Sequence, residues 1–279
     1  MHSASWHRIP RIDEARLSAA RLQAHYATQW LARVARAYIP ARPDDGHTNL
    51  GWDDALGSLV THALPDGARL GLKIAELALL LLGPAGGASD ALALDGRRDA
   101  DVRAWLGDRM NVHGRDPRAL DAPLPYTLPA HAIATGAAYS TMELTDFFGE
   151  LASWFSNANG VLGTAREQLA ARKLDAPPVR CWPHHFDLDT LVALAPGRTT
   201  GLGFEPGDEY YDEPYFYVSL NPAPDVASLP RLPAIGHWHT KNFTAAIAPA
   251  QRIVATADQA AAVEDFLHAT IEIAIKALR

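Results

Sequence analysis

Residues 69–87 read Arg-Leu-Gly-Leu-Lys-Ile-Ala-Glu-Leu-Ala-Leu-Leu-Leu-Leu-Gly-Pro-Ala-Gly-Gly. Two extended stretches, Arg69 to Ala75 and Leu77 to Leu82, sit between Pro65-Asp66-Gly67 on one side and Gly83-Pro84-Ala85-Gly86-Gly87 on the other, both of them turn chemistry. Leu50 to Ala63 and Ala91 to Leu94 also read as extended. Strands this short, separated by turns this tight, predict an antiparallel meander.

Working outward, Leu17, Ala20, Leu22, Tyr26, Trp30, Leu31, Val34 and Ala35 recur at helical spacing, so a helix is expected over Ile12 to Tyr38, ending before Pro40. After the meander, Asp99 stands where an N-cap would, ahead of Val102, Trp105, Leu106 and Met110 on one helical face. Residues 116–141 carry prolines at 117, 123, 125 and 129 and read as a linker. A second long helix is expected from Thr145 to Ala171, and strands over Val179 to Cys181, Phe186 to Ala195, Thr200 to Phe204, Tyr215 to Leu220 and Phe243 to Ile247. A closing amphipathic helix runs from Asp258 to Leu278.

The fold class that follows is α+β, with antiparallel sheets flanked by long helices. The order helix, strands, helix occurs twice, and local sequences echo it: Leu22 to Tyr26 against Leu151 to Phe155, Arg69 to Leu72 against Gly201 to Phe204, and Leu94 to Leu106 against Ala255 to Leu267. An internal duplication of an α-β-meander-α unit is expected, with halves at 1–115 and 142–279.

The chain has 279 residues, 48% of them hydrophobic, which suffices for a substantial core. Its net charge is −7 and no dense basic tract occurs, which argues against nucleic acid and anionic membrane as partners. The longest apolar run ends at Leu82 and is too short to span a bilayer. Met1 to Leu17 is interrupted by charges and Pro10, so no secretory leader is expected, and the single cysteine, Cys181, suits a reducing, cytoplasmic setting.

Three segments could carry chemistry. In Trp182-Pro-His-His-Phe-Asp-Leu-Asp189, an extended strand would place His185, Asp187 and Asp189 on one face and His184 on the other. In Glu205-Pro-Gly-Asp-Glu-Tyr-Tyr-Asp-Glu-Pro-Tyr-Phe-Tyr217, the carboxylates Asp208, Glu209, Asp212 and Glu213 crowd a loop among tyrosines. In Gly236-His-Trp-His-Thr240, the H-x-H spacing puts two imidazoles on one strand face. His25 reads as a packing residue, and His47 as a lesser candidate. The sequence holds no Gly-x-Ser-x-Gly elbow, phosphate loop, dinucleotide fingerprint or HExxH.

The run Pro178 to Asp187, with Gly203-Phe-Glu-Pro-Gly-Asp208, Glu213-Pro-Tyr-Phe-Tyr217 and Gly236-His-Trp-His-Thr240, resembles a bacterial family without an established activity. More distantly it is similar to a second such family, which shares a strand ending in Phe-Asp-Leu and an aromatic strand after a Gly-Phe-x-Pro-Gly turn. The second family has other residues at the positions of His184 and His185, which implies that the fold does not depend on them. The resemblance implies a fold shared along most of the chain and supplies no mechanism.

Two functions compete. In the first, a metal-dependent hydrolase or oxygenase holds zinc, manganese or iron through His185, His237, His239 and Asp187, with Glu209 or Glu213 as general base toward a small-molecule substrate. In the second, Trp182, Tyr210, Tyr211, Tyr215, Tyr217 and Trp238 line an aromatic pocket in which His184, Asp208 and their neighbours orient a small-molecule ligand without turnover. A homodimer contact through the same aromatic surface is the third expectation.

Overall fold

A computed structural model describes residues 6–278; Met1 to Ser5, part of the stretch read for a leader, and Arg279 lie outside the described residues. The described residues divide into two compact units: residues 15–152 with 181–186, and residues 6–14, 153–180 and 187–278. The division therefore falls within the long helix at 145–171, and residues 116–141 belong to the first of these units.

The five-strand unit follows α1 (Glu14–Tyr38) with β1 (Gly51–Asp53), β2 (Ser58–Val60), β3 (Arg69–Lys73), β4 (Ala78–Leu82), β5 (Ala88–Ala93) and α2 (Asp99–Val112). The strands form a sheet in chain order, each antiparallel to the next. Turn chemistry at 65–67 and 83–87 closes the hairpins as the sequence requires. The stretch 50–63, expected as one extended segment, is broken into β1 and β2 by a turn in which Gly57 adopts a φ of +59°. The segment 116–141 is ordered by two 3-10 turns, Pro117–Asp121 and Ala132–Thr135. Asp99 is not the N-cap of α2. Arg98 takes that place, its backbone N–H donating to Asp101 at 2.8 Å, while Asp99 accepts from the Trp30 indole and the Tyr139 hydroxyl.

The six-strand unit contains the larger part of α3 (Thr145–Ala171), the first residue of β6 (Arg180–Trp182), then β7 (Asp187–Ala195), β8 (Arg198–Glu205), β9 (Tyr215–Ser219), β10 (His237–His239), β11 (Ala245–Pro249), α4 (Ala250–Val254) and α5 (Gln259–Leu278). The sheet order is β10-β11-β9-β8-β7-β6. Alternation along each strand gives the sheet two unlike faces. One face carries Leu188, Val192, Leu202, Phe204, Phe216 and Val218, all buried. Trp154 of α3 stacks on Phe204 with ring centres 6.0 Å apart, and Phe155 meets the same ring edge-on at 5.6 Å. From α5, Val263, Phe266, Leu267, Thr270, Ile271 and Ala274 recur at helical spacing and are buried. Each such large apolar side chain contributes about 1.5–3 kcal/mol on burial.

The opposite face is polar and aromatic. Its register aligns one row across five strands: Asp189 on β7, Gly203 on β8, Tyr217 on β9, Ile247 on β11 and His237 on β10.

Candidate functional site

The row of residues just described is filled by one large ring. A Cβ built on Gly203 would stand 2.2 Å from Cζ of Tyr217, so the tyrosine ring occupies the space a side chain on β8 would need. This lets the Tyr217 hydroxyl cross β8 and donate to Oδ2 of Asp187 at 2.8 Å. Asp187 is only 7% exposed, and its Oδ1 has no hydrogen-bond partner among the described residues. Burial pushes its carboxyl up to about 6, against the opposing effect of the Tyr217 hydrogen bond. Burial, followed by the charges of Asp187 and Asp189, raises the Tyr217 phenol well above its ordinary value, so it remains a donor.

Tyr215 lies beside Tyr217, with ring centres 6.2 Å apart, and donates to Oδ2 of Asp208 at 2.8 Å. Asp208 organises the loop between β8 and β9. Its Oδ1 accepts from the backbone N–H of Tyr210 and of Tyr211, at 2.8 and 2.9 Å, and its own N–H donates to the Tyr211 carbonyl. The expected pocket residue is thus the anchor that aims two tyrosines.

Tyr211, held this way, places its hydroxyl between two imidazoles: 2.9 Å from Nε2 of His237 and 3.0 Å from Nδ1 of His239. His239 stacks on Phe243 at 4.3 Å and directs Nε2 at the Lys241 carbonyl, 2.6 Å away. Burial, then the positive charge of Arg252, lowers the His237 imidazole below its ordinary value. The H-x-H pair shares a strand face as expected, with a tyrosine hydroxyl bridging the two rings. Among the described residues no group of three or more His, Cys, Asp or Glu side chains is arranged to hold a metal ion.

Other expected residues are placed differently. Trp238 alternates to the far face of β10 and donates from its indole to the Pro230 carbonyl, so it does not line the tyrosine surface. Tyr210 packs edge-on against His239 and Phe243, and its hydroxyl accepts from Asn242. Glu209 is exposed. Glu213 accepts from the Gln251 N–H at 2.6 Å in the first turn of α4, and burial raises its carboxyl.

Trp182, His184 and His185 belong to the five-strand unit. His185 does not share a strand face with Asp187 and Asp189, because residues 183–186 form a turn and β7 begins at Asp187. The N–H groups of His185 and Phe186 both donate to the Trp182 carbonyl, and Phe186 adopts a φ of 70°. Pro183 pre-sets such a turn through its fixed φ. His184 and His185 are exposed, their rings 4.3 Å apart, with Tyr126 5.6 Å and Trp182 6.0 Å from His184. His25, buried on α1, donates from Nε2 to the Pro183 carbonyl and stacks on Phe186 at 5.2 Å. His47 accepts from the Arg42 N–H through Nδ1. Both fit packing and loop roles.

Neither Gly203 nor Glu205 is among the residues expected to form a site. The signal available for both was the alternation Gly201-x-Gly203-x-Glu205, which leaves one face of β8 empty until a carboxylate appears. The arrangement can offer a buried carboxylate acceptor, aromatic faces and a paired imidazole. No family model, no curated protein and no solved structure matches the chain.

Proposed function

We propose that the chain binds a small organic cation, an amine, on the tyrosine-lined face of the six-strand unit. The observation that carries this reading is the Asp187 carboxylate, 7% exposed, with Tyr217 on one oxygen and no partner among the described residues on the other. A buried acceptor left unpaired costs about 1–3 kcal/mol, which a donating ligand recovers.

Charge favours a cation over a neutral donor. The groups acting on the Tyr217 and Tyr215 phenols are Asp187, Asp189, Glu205 and Asp208, all negative. Tyrosine faces add about 0.5–2 kcal/mol for an ammonium group in such surroundings. Since no three ligating side chains are gathered for a metal ion among the described residues, an ammonium fits the donor set better than a bare divalent ion.

Isothermal titration with putrescine and with tetramethylammonium, using glycerol as the uncharged control, tests the reading. Putrescine is expected to bind, glycerol not, and Asp187→Asn to weaken binding at least about tenfold, a 1.4 kcal/mol loss. Absence of heat with either cation up to about 10 mM, or equal affinity in the variant, would overturn it.

A further inference from the structure

The hydrogen bonds around Tyr211 have a direction that the acceptor at their end decides. The Lys241 carbonyl can only accept, so the His239 Nε2, 2.6 Å away, carries the proton. A neutral imidazole has one ring proton, so the His239 Nδ1 is an acceptor, and the Tyr211 hydroxyl 3.0 Å away donates to it. The Tyr211 oxygen has then spent its proton and accepts from the His237 Nε2 at 2.9 Å. His237 Nδ1 is left bare of hydrogen. That nitrogen is buried and has no partner among the described residues.

We propose that His237, Tyr211 and His239 form a proton relay in which His237 Nδ1 is the base for an O–H or N–H group of a bound molecule. When Nδ1 takes that proton, the His237 Nε2 proton passes to the Tyr211 oxygen, and the Tyr211 hydroxyl proton passes to the His239 Nδ1. The bound molecule becomes an anion or a neutral amine, His237 ends neutral as its Nδ1–H tautomer, and the positive charge rests on His239. That charge is then stabilised by the Lys241 carbonyl on Nε2 and the Phe243 face stacked at 4.3 Å.

Asp208 acts as a positioning residue, because its carboxylate fixes the Tyr211 N–H and so the aim of the hydroxyl. The relay stands on bonds at β10 and the β8–β9 loop and is independent of a cation at Asp187.

Nitrogen-15 NMR of the histidine rings in labelled protein, at about pH 8 where imidazoles are ordinarily neutral, tests it without a ligand. Both His237 and His239 are expected as Nε2–H tautomers. The His237 Nε2–H is expected to exchange with solvent through the chain, and Tyr211→Phe, which removes the link to His239, to slow that exchange. In the folded variant His239 keeps its bond to Lys241, so its unchanged Nε2–H signal separates a lost relay from a lost fold. A His237 found as the Nδ1–H tautomer in the unmodified protein, or an exchange rate indifferent to Tyr211→Phe, would overturn the proposal.

Discussion

Tyr217 lies across Gly203, its register partner on β8, closely enough that a single added carbon would stand 2.2 Å from the ring. Gly203→Ala is therefore expected to expel the ring, break its bond to Asp187 and cost about 1–3 kcal/mol in overpacking. Gly201→Ala meets only the tip of a side chain, Oγ of Ser219 at 2.7 Å, whose rotation gives up one hydrogen bond from the Gly201 N–H, so it should cost less than expelling a ring. Urea unfolding of both variants checks the order; equal losses would contradict it.

Asp187 makes the protein less stable as pH rises. Its folded carboxyl titrates near 6 against an ordinary value of 3.8, so the folded state binds the extra proton between those values. Stability is then full below 3.8 and is lost as pH climbs through about 6, by about 1–3 kcal/mol. Asp187→Asn removes the charge, keeps an acceptor for Tyr217, and should be the more stable protein at pH 8 by that amount. The difference should vanish near pH 4, as followed by melting across pH.

His25 works in the opposite sense. Burial lowers its imidazole to about 4 from 6.5, despite its bond to the Pro183 carbonyl. The unfolded chain takes up the proton first, so stability is full above 6.5 and falls by about 3 kcal/mol as pH drops toward 4. Hydrogen exchange resolves this from the Asp187 effect, since α1 and the 183–186 turn should lose protection in acid while β7 to β9 do not. Unchanged α1 protection between pH 7 and 4.5 would refute it.

The sequence carried the long-period features well and the side-chain-to-backbone bonds poorly. The helix at 145–171 was legible because Phe148, Leu151, Trp154, Phe155, Val161 and Leu162 hold one periodicity over many turns. Strands β7 to β9 were legible from alternation, and so was the shared face of His237 and His239. The turn at 183–186 was hidden, because Pro183 and the left-handed Phe186 break a pattern that otherwise alternates like a strand. The roles of Asp208 and Glu213 were hidden for another reason: each carboxylate spends itself on backbone N–H groups, at Tyr210 and Tyr211 and at Gln251, whose positions only the folded chain defines. Both halves of the sequence hold an antiparallel sheet with helices before and after it, five strands in chain order in one and six in the order β10-β11-β9-β8-β7-β6 in the other.

The most direct test of the cation reading is proton release on binding. Burial raises the Asp187 carboxyl toward 6, so it holds protons at mildly acid pH, and a cation meeting it favours the ionised form. Titrating putrescine in two buffers of different ionisation enthalpy should therefore show protons released on binding at pH 6, with the release falling away at pH 8 and absent in Asp187→Asn. Binding that releases no proton at pH 6, or the same number in the variant, would show that the cation does not meet Asp187.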